Sequence, residues 1–397
     1  AMGAVQGPLF PTSSVFLGKW TPPDERAWAS SALDTGVSVG KFAGIVLLPF
    51  SPPPHPSIRP SSGTLVIVPV AGILGDAIGW RATYYVVGLA SVAFVLLFMM
   101  FGASTPDECS FITKEELSFL KRVVPTSKAK KEDAGEGGGD RDLSVVQMLM
   151  LPSLWALFTA HMAFNFGAYF ITQWSPTYYE NVLHLNPKQA GLHLTLPHVM
   201  NLVTKVFCNI PLDQWFVDRG YTQLQRRRLF TAIGFLGVAF CMAPLYAVTV
   251  FGIVQSPVYI TTALLSGAMG FYGMLPPGFK ANYLDVTVKY TGMVAGIGNT
   301  LGTVASFLGP SLVGAVLEKY DSPPGCKSLP QPCDQGWNVV LATIVSVNVI
   351  ATVAFALFST TTPIESGLND DPSYSKVASY SSPIFSKIAS YSSPIKC

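Results

Sequence analysis

The side chains in this sequence that could do chemistry are few, and the informative ones are polar groups inside apolar stretches. Asp34, Ser38 and Lys41 fall at i, i+4 and i+7, so they share one helix face. His198, Asn201 and Lys205 form a comparable stripe, and His161, Asn165, Tyr169 and Thr172 a third. Such groups are costly to place in lipid, so each stripe implies a cavity or a partner. A lysine in a cavity with no carboxylate beside it attracts an anion, and Lys205 is the foremost residue of that kind. Its alternatives are snorkelling toward the interface or an ion pair. Asp34 and Lys41 serve a functional cavity, or else simply bridge toward Ser38 or neutralise each other. His161 serves equally well as a proton carrier or as a hydrogen-bonded core group. Three polar stripes on different helices imply a water-filled path between them, and so a transporter or channel.

Patterns for covalent catalysis do not emerge. Gly296-Ile297-Gly298 with Gly302 imitates a phosphate-binding loop but lies inside an apolar run, where close helix packing explains it better. Gly36, Gly40 and Gly44 likewise form a small-x-x-x-small ridge. Of the six cysteines, Cys326 and Cys333 share one proline-rich loop at a spacing unlike a zinc site, and a disulfide there is one option. The expectation is a protein that is not an enzyme and uses no cofactor or metal.

Elements that would carry these stripes follow from composition. Of 397 residues, 49% are hydrophobic and only 12% charged, against about 25% charged in soluble domains. A formal net charge of +2 implies no nucleic-acid partner. About nine stretches approach the roughly 20 apolar residues that cross a bilayer: near 5–18, 30–48, 82–102, 153–174, 190–212, 229–251, 258–279, 292–317 and 338–358. Only Asp34, Lys41 and Lys205 lie deep within them, with Lys19 and Lys280 near span ends. Basic residues concentrate in alternate loops (Lys19 and Arg26; Lys114 to Arg141; Arg219 and Arg226 to Arg228; Lys289), which the positive-inside tendency assigns to the cytoplasm.

The organisation expected is a partial bundle over 1–104, a linker over 105–148, a six-helix bundle over 149–358 and a disordered tail over 359–397 with an 11-residue duplication. Within the linker, Thr113-Lys114-Glu115-Glu116 is a capping box that predicts a short surface helix over Lys114 to Val123. Proline density near Pro49 to Pro60 forbids a continuous helix, so this stretch reads as lying outside the membrane or in an aqueous gap.

Several strings now resemble one family. Gly7-Pro8-Leu9-Phe10-Pro11 through Lys19-Trp20-Thr21-Pro22-Pro23-Asp24-Glu25-Arg26 is similar to the fourth helix and following loop of the anion:cation symporter branch of the major facilitator superfamily. Gly79-Trp80, His161 to Gly167, Leu196-Pro197-His198, Asn282-Tyr283-Leu284-Asp285 and Gly298-Asn299-Thr300 agree in order. The branch includes sodium/phosphate cotransporters, sialin, vesicular glutamate transporters and plant plastid phosphate transporters.

That resemblance implies an all-α polytopic membrane protein whose nine spans match helices 4 to 12 of a twelve-helix fold, with helices 1 to 3 absent and about 46–68 an insertion. Its functional implication is secondary active symport of inorganic phosphate or an organic anion with Na+ or H+, by alternating access in a membrane whose identity stays open. The alternative is a non-transporting truncated protein or scaffold. Expected cavity residues are Lys205, His198, Asn201, His161, Asn165, Tyr169 and Asn299, and expected family-motif positions are Gln6, Gly7, Pro11, Arg26, Asn282 and Asp285. Gln6 stands where the family commonly has a proton-coupling carboxylate. Phe164 stands where the glutamate carriers have arginine, which disfavours glutamate. Tyr283 replaces a frequent histidine.

Overall fold

The computed structural model describes residues 7–47, 80–109, 111–124, 145–185, 187–251, 258–321 and 335–365. Gln6, the proline-rich stretch from Pro49 to Pro60, Cys326, Cys333 and the duplicated tail lie outside the described residues. Among the described residues all regular structure is helical. In chain order the helices are α1 (Leu9–Trp20), α2 (Arg26–Leu47), α3 (Trp80–Phe101), α4 (Lys114–Val123), α5 (Val145–Leu149), α6 (Pro152–Asn181), α7 (Pro187–Val203), α8 (Asn209–Asp218), α9 (Gln223–Phe251), α10 (Val258–Tyr272), α11 (Ala281–Asp285), α12 (Thr291–Asp321) and α13 (Gln335–Phe358).

Local chemistry sets several helix starts. Thr113 Oγ1 accepts from Glu116 N at 3.2 Å, so α4 begins where the capping box places it. Thr222 and Gln225 satisfy each other reciprocally, Gln225 N to Thr222 Oγ1 at 3.3 Å and Thr222 N to Gln225 Oε1 at 2.9 Å. This second box opens α9 and puts Arg226, Arg227 and Arg228 in its first turns. Pro152 opens α6, where its missing N–H is no loss.

Among the described residues, five segments are long and apolar enough to cross a membrane: Pro152–Glu180, Gln223–Leu245, Val258–Asp285, Thr291–Tyr320 and Gly336–Phe358. They pack as one group, α6 against α12 and α13, and α9 against α10 and α13. Trp337, Phe158, Phe235 and Tyr272 sit in the shared core. Close approach of α12 to α6 depends on glycine. A Cβ on Gly302 would lie 2.6 Å from Asn165 Nδ2, and one on Gly309 would lie 2.7 Å from Phe166. On α3, Leu89, Val92 and Val95 through Phe101 are exposed, an apolar surface that lipid solvates.

Two interruptions of helical geometry matter for the site. Between α7 and α8 the chain widens into a π-helical turn, Thr204–Cys208, and between α10 and α11 into another, Pro276–Lys280. In the second, Pro276 and Pro277 lack amide donors and Gly278 leaves helical geometry at φ −85°, ψ −112°. A Cβ there would meet Thr231 Oγ1 at 2.5 Å, so only glycine lets this turn press on α9. The span read as continuous over 258–279 is therefore a broken helix.

Helices α1 and α2 dock on the other group, and the end marked by the basic loops is called the inner end below. Helix α1 lies on α12, with Val15 beside Gly292 and Pro11 beside Gly296. Helix α2 lies on α7 and on both π-helical turns.

Candidate transport site

The two π-helical turns each contribute a lysine to one carboxylate. Lys205 Nζ lies 2.5 Å from Asp34 Oδ2, and Lys280 hydrogen-bonds Asp34 Oδ1. Side-chain exposure is 7% for Lys205, 12% for Lys280 and 17% for Asp34, so the cluster is shielded but not sealed. Lys280 Nζ also stands 4.3 Å over the Phe164 ring, a cation–π contact from α6. Both lysines lie within the wide turns themselves, and π-bulges inside helices are frequent at functional sites. Broken helices of this kind surround ligand sites in membrane transporters.

A second layer adjoins the lysines, with Phe279 between His161 and Phe164. His161 Nδ1 and the Tyr283 hydroxyl share a hydrogen bond of 3.0 Å. Phe10, from α1, packs edge-on against both rings, with centroids 5.3 and 5.4 Å away, and Phe279 lies 5.7 Å from His161. Gly298 and Gly302 of α12 make room for Tyr283 and for His161 with Asn165. The layer is aromatic and spans both helix groups.

The third layer is ionic. Asp285 Oδ1 is 3.1 Å from Arg26 Nη1 on α2 and accepts from Gln223 Nε2 at 2.9 Å, while Asp285 Oδ2 accepts from Arg227 Nε at 2.6 Å. Arg227 also donates to the Pro277 carbonyl at 2.9 Å, tying the layer to the broken helix. Beside it Arg226 Nη1 reaches both oxygens of Asp213 at 3.0 Å. Burial pushes the neighbouring Asp24 carboxyl up from its ordinary range, and Arg226 and Arg227 pull it part of the way back.

The sequence stripes are only partly assembled. Lys205 is paired with Asp34, so it is not the uncompensated lysine that the stripe suggested, and the Lys41 side chain lies outside the described residues. Asn201 spends its amide on the Met269 carbonyl at 2.8 Å and so anchors α7 to α10. His198 and Asn299 are half-buried, Tyr169 is exposed, and Asn165 faces Gly302 beside His161. Among the motif positions, Arg26 and Asp285 meet, Pro11 touches Gly296, and Asn282 donates to the Thr360 carbonyl at 2.8 Å. Gly7 is exposed. Lys280 and Arg227 are functional candidates that the stripes missed. The available signals were a lysine after Pro276-Pro277-Gly278 inside an apolar run and an arginine following a capping box.

Broken helices with buried lysines, joined to a second helix group through ionic and aromatic layers, are features of membrane transport proteins. Residues 61–310 match the family model of the Major Facilitator Superfamily. The chain belongs to this superfamily. As a Major Facilitator Superfamily member it is an integral, multi-pass membrane protein. It is 26% identical over 364 residues to an ascorbate transporter, chloroplastic, of Arabidopsis thaliana, covering 90% of this chain and 56% of that protein. It is 24% identical over 359 residues to sodium-dependent phosphate transport protein 1, chloroplastic, of the same plant, covering 90% and 59%. With human sialin the identity is 23% over 357 residues, covering 90% and 62%. The chain thus spans between about half and three fifths of the length of these relatives.

Proposed function

We propose that the protein is a secondary active transporter of small anions, inorganic phosphate or an organic anion, moved by alternating access of two helix bundles. The bundles are residues 1–104 and 149–358, and 105–148 is the linker. One observation carries this reading: two shielded lysines, Lys205 and Lys280, held in breaks of two helices and facing the other bundle through a single carboxylate. Buried lysines inside a membrane protein mark substrate or ion paths. Family membership and relatives named for ascorbate and phosphate transport support the same substrate class. The ionic and aromatic layers on the inner side act as the inner gate. Asp285 with Arg26 closes it, and Phe10 against His161 and Tyr283 seals it. Opening that gate releases the anion inward, and coupling to Na+ or H+ compensates its charge.

The test is uptake of labelled phosphate and labelled ascorbate into proteoliposomes carrying the protein, under imposed Na+ or pH gradients. Anion-dependent flux that falls at least about tenfold in Lys205→Ala and in Lys280→Ala is expected. Absence of flux for every anion, or full flux in both variants, overturns the reading.

A further inference from the structure

Lys205 and Lys280 would hold a second negative charge well enough in isolation, but the structure does not leave them isolated. Each engages a different oxygen of Asp34, which reaches them from α2 across the boundary between the two helix groups. We infer that Asp34 is a specificity-determining residue, which sets the net charge of the lysine pair to +1 and so selects monovalent over divalent anions. The inference rests on the anion-transport reading of the same site.

Charge balance is the argument. Asp34 and the two lysines that contact it sum to one positive charge, and all three are shielded from solvent, where Coulomb terms are stronger than in water. A monoanion entering beside them brings the cluster to neutrality. A dianion leaves one uncompensated negative charge against the Asp34 carboxylate, at short range and low dielectric. Like charges sharing one shielded site disfavour each other. Lys205 also approaches the Asp34 backbone carbonyl at 3.5 Å, and because an ammonium carries three N–H donors, the Asp34 contacts by themselves do not exhaust either lysine. Phe164 reinforces Lys280 without adding formal charge.

A purely structural role for Asp34, as a strut between helix groups, makes a different forecast. Losing a strut would weaken transport or stability for all anions alike. Losing a charge selector changes the ratio between anions of different charge.

The test uses sulfate and methyl sulfate, tetrahedral anions that differ by one charge and keep their charges across neutral pH. Binding of each to the purified full chain is read by thermal shift and by inhibition of labelled anion uptake. The wild type should favour methyl sulfate. Asp34→Asn, which keeps shape and removes the charge, should move the affinity ratio toward sulfate by about tenfold or more. The double variant Asp34→Asn/Lys280→Gln restores a single positive charge and should return the ratio to the wild-type side. Should Asp34→Asn fail to accumulate, Asp34→Ser supplies the same comparison. An unchanged ratio in the single variant, or a double variant that behaves like it, overturns the inference while leaving anion transport standing. If neither the wild type nor any variant binds either anion and uptake is absent, the transport reading falls and takes this inference with it.

Discussion

Replacing Arg26 with alanine should open the inner end without dismantling the larger bundle. Arg26 is the cross-bundle partner of Asp285, with side-chain exposures of 6% and 1%. Removing one member of a buried ion pair costs about 3–5 kcal/mol because a charge is left without its partner. Here Asp285 keeps Arg227 at 2.6 Å and Gln223 at 2.9 Å, both from its own helix group, so the residual penalty should be lower. Taking roughly half, about 2 kcal/mol falls on the closed arrangement alone, which raises the opening equilibrium about 30-fold at about 1.4 kcal/mol per tenfold. Ser31 offers a reporter. It is 2% exposed, lies on α2, and receives a hydrogen bond from Asn209 Nδ2 at 3.4 Å across the boundary. With the six native cysteines replaced, Ser31→Cys should react with a membrane-impermeant thiol reagent far faster in the Arg26→Ala background. Arg26→Lys should be intermediate, since it keeps the charge but loses the planar fork. Labelling that is unchanged in Arg26→Ala, with folded protein recovered normally, would refute the assignment of this contact as a gate.

Two other substitutions probe the layers on either side. Gly298→Ala places a methyl 1.9 Å from the Tyr283 hydroxyl, so Tyr283 must move and its bond to His161 break; an overpacking cost of about 1–3 kcal/mol and loss of uptake are expected, while Gly18→Ala, with nothing within 4 Å, should be neutral in the same thermal melts. Glu365→Ala removes the carboxylate oxygen that accepts from Thr287 Oγ1 and from the amides of Val288 and Lys289 at 3.1 and 2.9 Å. Hydrogen exchange at those two amides should then speed up by about tenfold or more, because about 1–3 kcal/mol of satisfied polar contact is lost, and unchanged exchange would show that the segment after α13 does not hold the loop following Asp285.

How far the sequence goes depends on the range of the interaction involved. Thr113 with Glu116 is a contact three residues apart, and the α4 start can be read from it directly. The apolar stretches are equally local, since a bilayer sets their length and their lack of charge. Stripe reasoning identified Lys205 and Asp34 as notable but could offer only Ser38 and Lys41 as partners for Asp34, because the periodicity of one helix contains no information about a neighbour. It also assumed 3.6 residues per turn through Thr204–Cys208 and Pro276–Lys280, where the helices widen. A broken turn changes the face of every residue after it, so Lys280, read as a span-end residue, comes to lie opposite Asp34.

By itself the sequence determined a membrane-embedded helical protein of a recognisable family, and which few polar residues lie in apolar surroundings. Only the tertiary structure decided which of them meet: Asp34 with Lys280, 246 residues apart, and Arg26 with Asp285, 259 apart. The physical reason is that hydrophobic length and helix caps act along the chain, whereas a charge in a low-dielectric interior is governed by whichever partner folding brings within a few ångströms.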